Sequence, residues 1–319
     1  MGENKGQNRT IRINDSVLVL LAIILVLILG AAVYIAPRYS KVFTAYFDQK
    51  EIYNTAAAEL KAAQDENASL TQQLEEFKTL TTELETTRAD VFKQAAQLEK
   101  DILDGKSDKK ICYITIDDGP YKRGNDYLEL FNKYDIKATF FLTTTNGDKL
   151  PDQADISARS MYPEYVRYGH TIGNHTYSHD YGSGGIYSSA KAFMKAVNKQ
   201  QDFTKEATGG YTPEIVRFPG GTSMAGNQLG AIQDELRKAG LGWIDWTIDS
   251  GDSWGADKAT PELIKKNVMD AAKDQKIMVV LFHEWSKNTV DSLPEIIEYL
   301  DKEGFIFLPL FKDSVMVSK

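Results

Sequence analysis

Between Lys110 and Leu310, short apolar runs alternate with longer amphipathic stretches, and this rhythm limits the possible folds more than any other feature of the chain. Strand candidates fall at 111–116, 137–143, 170–173, 214–218, 242–248, 277–282 and 304–309. Helix candidates lie between them, at 124–134, 160–168, 186–206, 227–239, 259–274 and 290–302. Strand followed by helix, repeated, builds a mostly parallel α/β sheet with helices outside. Six or seven such units close naturally into a barrel, and in barrels of this kind the functional residues gather at the carboxyl ends of the strands.

The chain ahead of this region is built differently. Ser16 to Ala36 carries no charge and is long enough to cross a bilayer core of about 30 Å as a helix. Lys5, Arg9 and Arg12 precede it, Tyr34 lies near its far end, and Arg38 and Lys41 follow. The charge balance favours a cytoplasmic tail at 1–15, a transmembrane helix at 16–36 and an exported remainder. A cleaved signal peptide is the rival reading, with small residues at Gly30-Ala31-Ala32, although the apolar run continues past them to Pro37. No Pro or Gly occurs from Arg38 to Asp104. Ala63, Leu70, Phe77, Leu84, Val91 and Leu98 recur every seven residues, with a mixed companion row at Leu60, Asn67, Leu74, Thr81, Arg88, Ala95 and Ile102. That pattern predicts a helical stalk over 37–104, able to form a coiled-coil homodimer, or else a single marginal helix or a partly disordered linker. Asp104 to Asp108 ends it, so a separate domain is expected over 105–319.

Composition narrows the partners. The formal net charge is −8 and no basic stripe is present, which excludes a nucleic-acid role. A single cysteine, Cys112, rules out an intramolecular disulfide and sits in an apolar run as a core residue.

The first strand candidate ends in two adjacent carboxylates, Asp117 and Asp118, before a Gly-Pro turn. Like charges that close raise each other's pKa unless a positive partner is near. The chain has only four histidines, and three lie in GHTIGNHTYSH, residues 169–179, just past another strand candidate. His175 and His179, four apart, can present both rings on one side. Two imidazoles and one carboxylate make a facial metal set with open positions for water and substrate. His170 lies outside that spacing and reads as structural. A loop cap for the aspartates and a polar turn for the histidines are the bland alternatives.

Five short motifs now resemble the polysaccharide deacetylase family (NodB homology, carbohydrate esterase family 4), in the family's order, over about Ile111 to Leu310. Thr115-Ile116-Asp117-Asp118-Gly119-Pro120 resembles the first, with Ile116 in place of Phe. By that resemblance Asp117 is the general base and Asp118 a metal ligand. His175-Thr176-Tyr177-Ser178-His179 matches the second and supplies the other two ligands. Arg217-Phe218-Pro219-Gly220 resembles the third, so Arg217 would orient Asp117. Gly220 replaces a frequent Tyr but keeps a backbone N–H for the oxyanion. Trp246 to Ser253 resembles the fourth, with Asp249 as tether of the catalytic histidine and Ser253 where a groove Trp is common. Leu281-Phe282-His283 matches the fifth and makes His283 the general acid.

The resemblance implies a distorted (β/α) barrel, usually seven-stranded, and one divalent transition metal, zinc or a similar ion such as cobalt. It implies removal of acetyl groups from an N-acetylated cell-surface glycan, with peptidoglycan favoured because anchor and stalk would display the domain at the wall. Trp243, Trp246, Trp254 and Trp285 fall near the last two motifs, and Trp246 and Trp254 are the candidates for stacking on sugar. The departures at Ile116, Gly220 and Ser253 keep a glycan-binding barrel without turnover open. An O-acetyl esterase or an exopolysaccharide deacetylase would use the same site.

Overall fold

The computed structural model describes residues 18–31, 49–121, 123–144, 159–180, 182–255 and 258–319. The expected tail at 1–15 lies outside these, as do residues 16, 17 and 32–36 of the expected span and 37–48 of the expected stalk. Residues 18–31 are helical with every side chain exposed. Among the described residues no helix is long and apolar enough to cross a membrane. The chain divides into two compact units, Met1–Leu84 and Glu85–Lys319. The second begins well before residue 105, where the domain was expected to start.

The reason lies in helix α1 (Gln49–Leu103). Toward its end one face turns inward: Ala95, Glu99 and Ile102 are buried, and Phe92 stacks on Phe311 at 4.9 Å. These side chains join a core of Ile111, Tyr113, Leu310 and Val317. Glu99 is fully buried and accepts from Tyr113 Oη at 2.5 Å, from Ser314 Oγ and from the Val315 N–H at 2.9 Å. A buried carboxylate is tolerated there because it is hydrogen-bonded on three sides. Changing Glu99→Ala strands those three donors, so urea unfolding should show a loss of about 3 kcal/mol. A loss under about 1 kcal/mol would refute the anchoring role.

The sheet strands are β1 (Lys110–Asp117), β2 (Thr139–Leu142), β3 (Thr171–Asn174), β4 (Ile215–Val216), β5 (Gly242–Trp243), β6 (Ile248–Asp249), β7 (Ile277–His283) and β8 (Phe305–Phe307). All are parallel where they pair. Their order is β5-β4-β3-β2-β1-β7-β6, with β8 also on β1. Among the described residues β5 and β6 do not pair, so the sheet curls into an open half-barrel rather than a closed one. The apolar run at 242–248, expected as one strand, is two short ones at opposite edges.

Helices α2 (Gly124–Lys133), α3 (Met161–Arg167), α4 (Ala190–Thr208), α5 (Leu229–Lys238), α6 (Pro261–Ala271) and α7 (Lys287–Lys302) lie between the strands in sequence. Local chemistry sets their ends. Ser189, Thr260 and Ser286 cap the starts of α4, α6 and α7 through their hydroxyls, Pro261 occupies the first turn of α6, and Gly209 ends α4 at φ 73°.

Strand periodicity then sorts the side chains. Cys112, Ile114 and Ile116 on β1 and Met278, Val280 and Phe282 on β7 share an outer core with α2, α3, α6 and α7. The alternate residues, Ile111, Tyr113, Ile277 and Val279, belong to the inner core. Side chains alternate faces along a strand, so Thr115 and Asp117 on β1, and Leu281 and His283 on β7, point inward as well. A third core, including Phe193, Phe218, Ile232 and Trp243, lies under α4 and α5.

Candidate active site

Register brings the site together. Asp117, last on β1, pairs with His283, last on β7. Asn174, last on β3, pairs with Val216 on β4, which sets His175 beside Arg217 in the following residues. Both join the same open end of the sheet because every strand runs the same way.

Arg217 is the largest fully buried side chain, and each of its nitrogens is used. Nη1 donates to Asp117 Oδ1 at 2.9 Å and to Thr115 Oγ1 at 2.6 Å. Nε reaches the Ile244 carbonyl and Nη2 the Asp245 carbonyl. Its guanidinium stacks on Phe141 at 4.1 Å. Phe141 in turn lies so close to Gly173 that a Cβ there would meet the ring at 2.3 Å. A planar, five-donor cation held this way fixes the Asp117 carboxylate in one orientation.

Asp118 departs from the strand at φ 72°, a conformation aspartate tolerates better than most residues. That turn carries its carboxylate to the histidines. Asp118 Oδ1 lies 3.5 Å from His175 Nε2 and 3.4 Å from His179 Nε2. One donor atom from each of the three residues lies within 4.8 Å of the others. His175 Nδ1 is 2.9 Å from the Arg217 carbonyl. With the proton on that nitrogen, Nε2 presents its lone pair toward Asp118, the arrangement that orients a metal-bound imidazole. The donor set thus fits a divalent transition metal: two imidazoles, one carboxylate and converging lone pairs. Burial pushes His179 down to about 4, with the neighbouring His175 adding to it, so this ring is neutral near pH 7. Without a metal, burial raises the Asp118 carboxyl, but His175 protonated on both nitrogens and donating through Nε2, with the charge of His283, His179 and His175, outweighs it and holds the group well below the usual range.

His283 is half-buried. Burial alone would lower its pKa; the hydrogen bond and charge of Asp252, with Asp118 and Asp117 behind them, raise it to about 9. The partner is Asp252, not Asp249 as expected. Asp252 Oδ1 lies 2.8 Å from His283 Nδ1, while Oδ2 accepts from the His283 N–H and the Thr289 hydroxyl. Register explains the difference. Asp249 pairs with Leu281, two residues short of His283. The turn at Gly251, φ 79°, then brings Asp252 back to the histidine. Asp249 instead accepts from the Gly251 N–H and from Trp254 Nε1.

The remaining candidates are placed as follows. Gly220 is exposed in the turn after β4 at φ 71°, and a Cβ there would meet Met224 at 2.9 Å. Trp246 is half-buried over Gly221, with its ring 6.0 Å from the Arg217 guanidinium, so it backs the site from within. Trp254 is half-exposed and tied to Asp249. His170 is buried between Phe131 and Phe140 and accepts from the Ala138 N–H, and burial takes it down to about 3. It is structural, as its spacing suggested.

Three residues that sequence reasoning left out belong to the site or its support. Asp252 is one. Trp285 is the second: its Nε1 donates to Asp118 Oδ2 at 3.0 Å, and its ring lies 5.3 Å from that of His283. Glu284 is the third. It is fully buried and accepts from the Tyr121 N–H and the Tyr165 hydroxyl beneath the Asp118 turn. A Cβ on Gly119 would lie 1.9 Å from its Oε2, which is why that position must be glycine. Burial raises the Glu284 carboxyl to about 8, against the pull of those two donors.

Known proteins share this arrangement of chain. The sequence profile for polysaccharide deacetylases matches residues 104–241. A peptidoglycan-N-acetylglucosamine deacetylase of Bacillus cereus is 28% identical over 211 residues, 65% of this chain and 71% of that protein. The catalytic domain of a peptidoglycan N-acetylglucosamine deacetylase from Eubacterium rectale has a solved structure with 30% identity and a TM-score of 0.59, covering 66% of this chain and 93% of that one. A polysaccharide deacetylase structure from Bacillus cereus shares 27% identity and a TM-score of 0.54, covering 65% and 94%. The half-barrel and its site are therefore those of a hydrolase acting on C–N bonds, and the chain belongs to the polysaccharide deacetylase family.

Proposed function

We propose that the chain removes acetyl groups from N-acetylglucosamine of peptidoglycan, using one divalent transition metal, zinc or a close substitute, held by Asp118, His175 and His179. The observation that carries this reading is the convergence of those three side chains between Asp117 and His283. The similarity to two peptidoglycan deacetylases supports the choice of glycan.

When bound, the metal would lower the pKa of water to about 7 and share the charge that develops on the acetamide oxygen. Asp117, locked by Arg217, takes the proton from the attacking water. His283, kept protonated by Asp252, delivers a proton to the departing nitrogen, without which the tetrahedral intermediate collapses backwards. The N–H of Gly220 is the backbone donor assigned to the oxyanion. One carboxylate for the metal and one for the proton account for the adjacent aspartates.

The location is part of the proposal. The uncharged run at 16–36 anchors the chain once in the cell membrane with its tail at 1–15 inside and the domain outside. The exposed leucines and isoleucines at 18–29 support this. The heptad rows from Leu60 to Leu84 fit a paired stalk that displays the domain at the wall, while the rows beyond them are spent on the barrel core. The test is acetate release from N-acetylglucosamine oligomers and wall fragments by the full-length chain. Release is expected with Zn²⁺ or Co²⁺ and should vanish with chelator. A metal-loaded chain that releases acetate from none of these glycans sinks the reading.

A further inference from the structure

Trp285 does two things that a space-filling surface residue does not. Its indole N–H, which can only donate, meets a carboxylate rather than water. Its ring is 39% exposed, yet it borders His283 instead of standing alone. The contact with Asp118 is specific to one atom. Nε1 holds Oδ2 at 3.0 Å, while Oδ1 is the oxygen that lies 3.4 and 3.5 Å from the two imidazoles.

The backbone around the indole is fixed from both sides. The Tyr127 hydroxyl donates to the carbonyls of His283 and Ser286, and Ser286 caps α7 through the Thr289 N–H. The ring therefore does not drift with a loose loop. Elsewhere the position where a groove Trp is common is Ser253, and Trp254 beside it is spent on Asp249. Among the described residues Trp285 is the indole whose ring lies beside the general acid, tilted to it by 35°.

We propose that Trp285 is a positioning residue for the metal site and a sugar-binding wall: its N–H turns Asp118 so that Oδ1 faces the histidines, and its ring carries the face of the N-acetylated sugar next to His283. This rests on the metal-dependent deacetylase reading above. Carboxylates that ligate metals are commonly held by a second hydrogen bond, and losing that bond weakens metal binding about 10- to 100-fold. Aromatic faces with one polar edge suit surfaces that must grip an apolar ring face in water.

Two substitutions separate the two roles. Trp285→Phe keeps a ring and loses the N–H. Trp285→Ala loses both. The full-length chain is titrated with Co²⁺ and Zn²⁺ against a competing chelator, and KM for N-acetylglucosamine oligomers is measured at saturating metal. W285F is expected to bind metal about 10-fold more weakly, with KM changed less than about twofold. W285A is expected to match it in metal affinity and to raise KM about 10-fold. W285Y provides the same comparison should W285F fail to fold, since its hydroxyl does not sit where the indole N–H does. Wild-type metal affinity in W285F, or in W285Y in its place, overturns the positioning role. An unchanged KM in W285A overturns the wall. A wild-type chain that binds neither metal defeats the deacetylase reading itself, which is a different result.

Discussion

Replacing Asp117 with asparagine is expected to reduce acetate release about 1,000-fold while the chain still takes up one equivalent of metal. The amide cannot accept the proton of the attacking water, and general bases contribute about 100- to 10,000-fold. The amide oxygen can still accept from Arg217 Nη1, so the geometry is kept. Metal uptake should survive because the ligand set of Asp118, His175 and His179 is untouched. Stability should fall, since Arg217 is fully buried and loses its counter-charge. The measurement pairs an acetate assay with metal content and a urea midpoint on the same sample. Activity within about tenfold of wild type would remove Asp117 from the reaction. Loss of both activity and metal would mean that Asp117, not Asp118, holds the cation.

Asp252→Asn should also be damaging, and its signature is in pH. His283 sits at about 9, so its proton is available to the leaving group across the neutral range and is lost as pH rises through 9. Without the Asp252 charge, burial pulls the imidazole down, opposed only by Asp118 and Asp117. The alkaline limb of kcat/KM should move from about 9 to lower pH. At pH 8 the loss should be about 10-fold or more, shrinking as pH falls. The amide also favours the wrong tautomer: with its oxygen on Thr289 and the His283 N–H, its NH₂ faces Nδ1. Asp249→Asn should leave the alkaline limb in place. The reverse pattern, with Asp249 moving the limb and Asp252 inert, would contradict the geometry.

These two aspartates show what a sequence carries and what it does not. That the adjacent aspartates ending β1 would meet the histidine pair after β3 was readable, because strand ends in a parallel sheet lie together. Arg217 and His283 were readable through motif resemblance. Asp252 was not, because Asp249 and Asp252 are equally acidic and only the pairing of Asp249 with Leu281 shows which one stops short. The split of 242–248 was hidden for a related reason. Its apolar character runs on through Ile244, although Asp245 breaks the strand to accept from Thr222. The end of α1 misled in another way. Residues at three- and four-residue spacing pack on a partner helix or on a barrel core with the same pattern, so Ala95, Glu99 and Ile102 could not declare which. Trp285 adjoins the fifth motif, but its role depends on a rotamer that no spacing encodes.

The three bonds to Glu99 also bear on mechanics. A side chain clasped by two hydroxyls and an amide stops the final turns of the helix from swivelling on the lobe they enter. The last turns of α1 and the lobe they enter therefore turn as one piece, so a twist of those turns carries β1 and the carboxy-terminal residues with it.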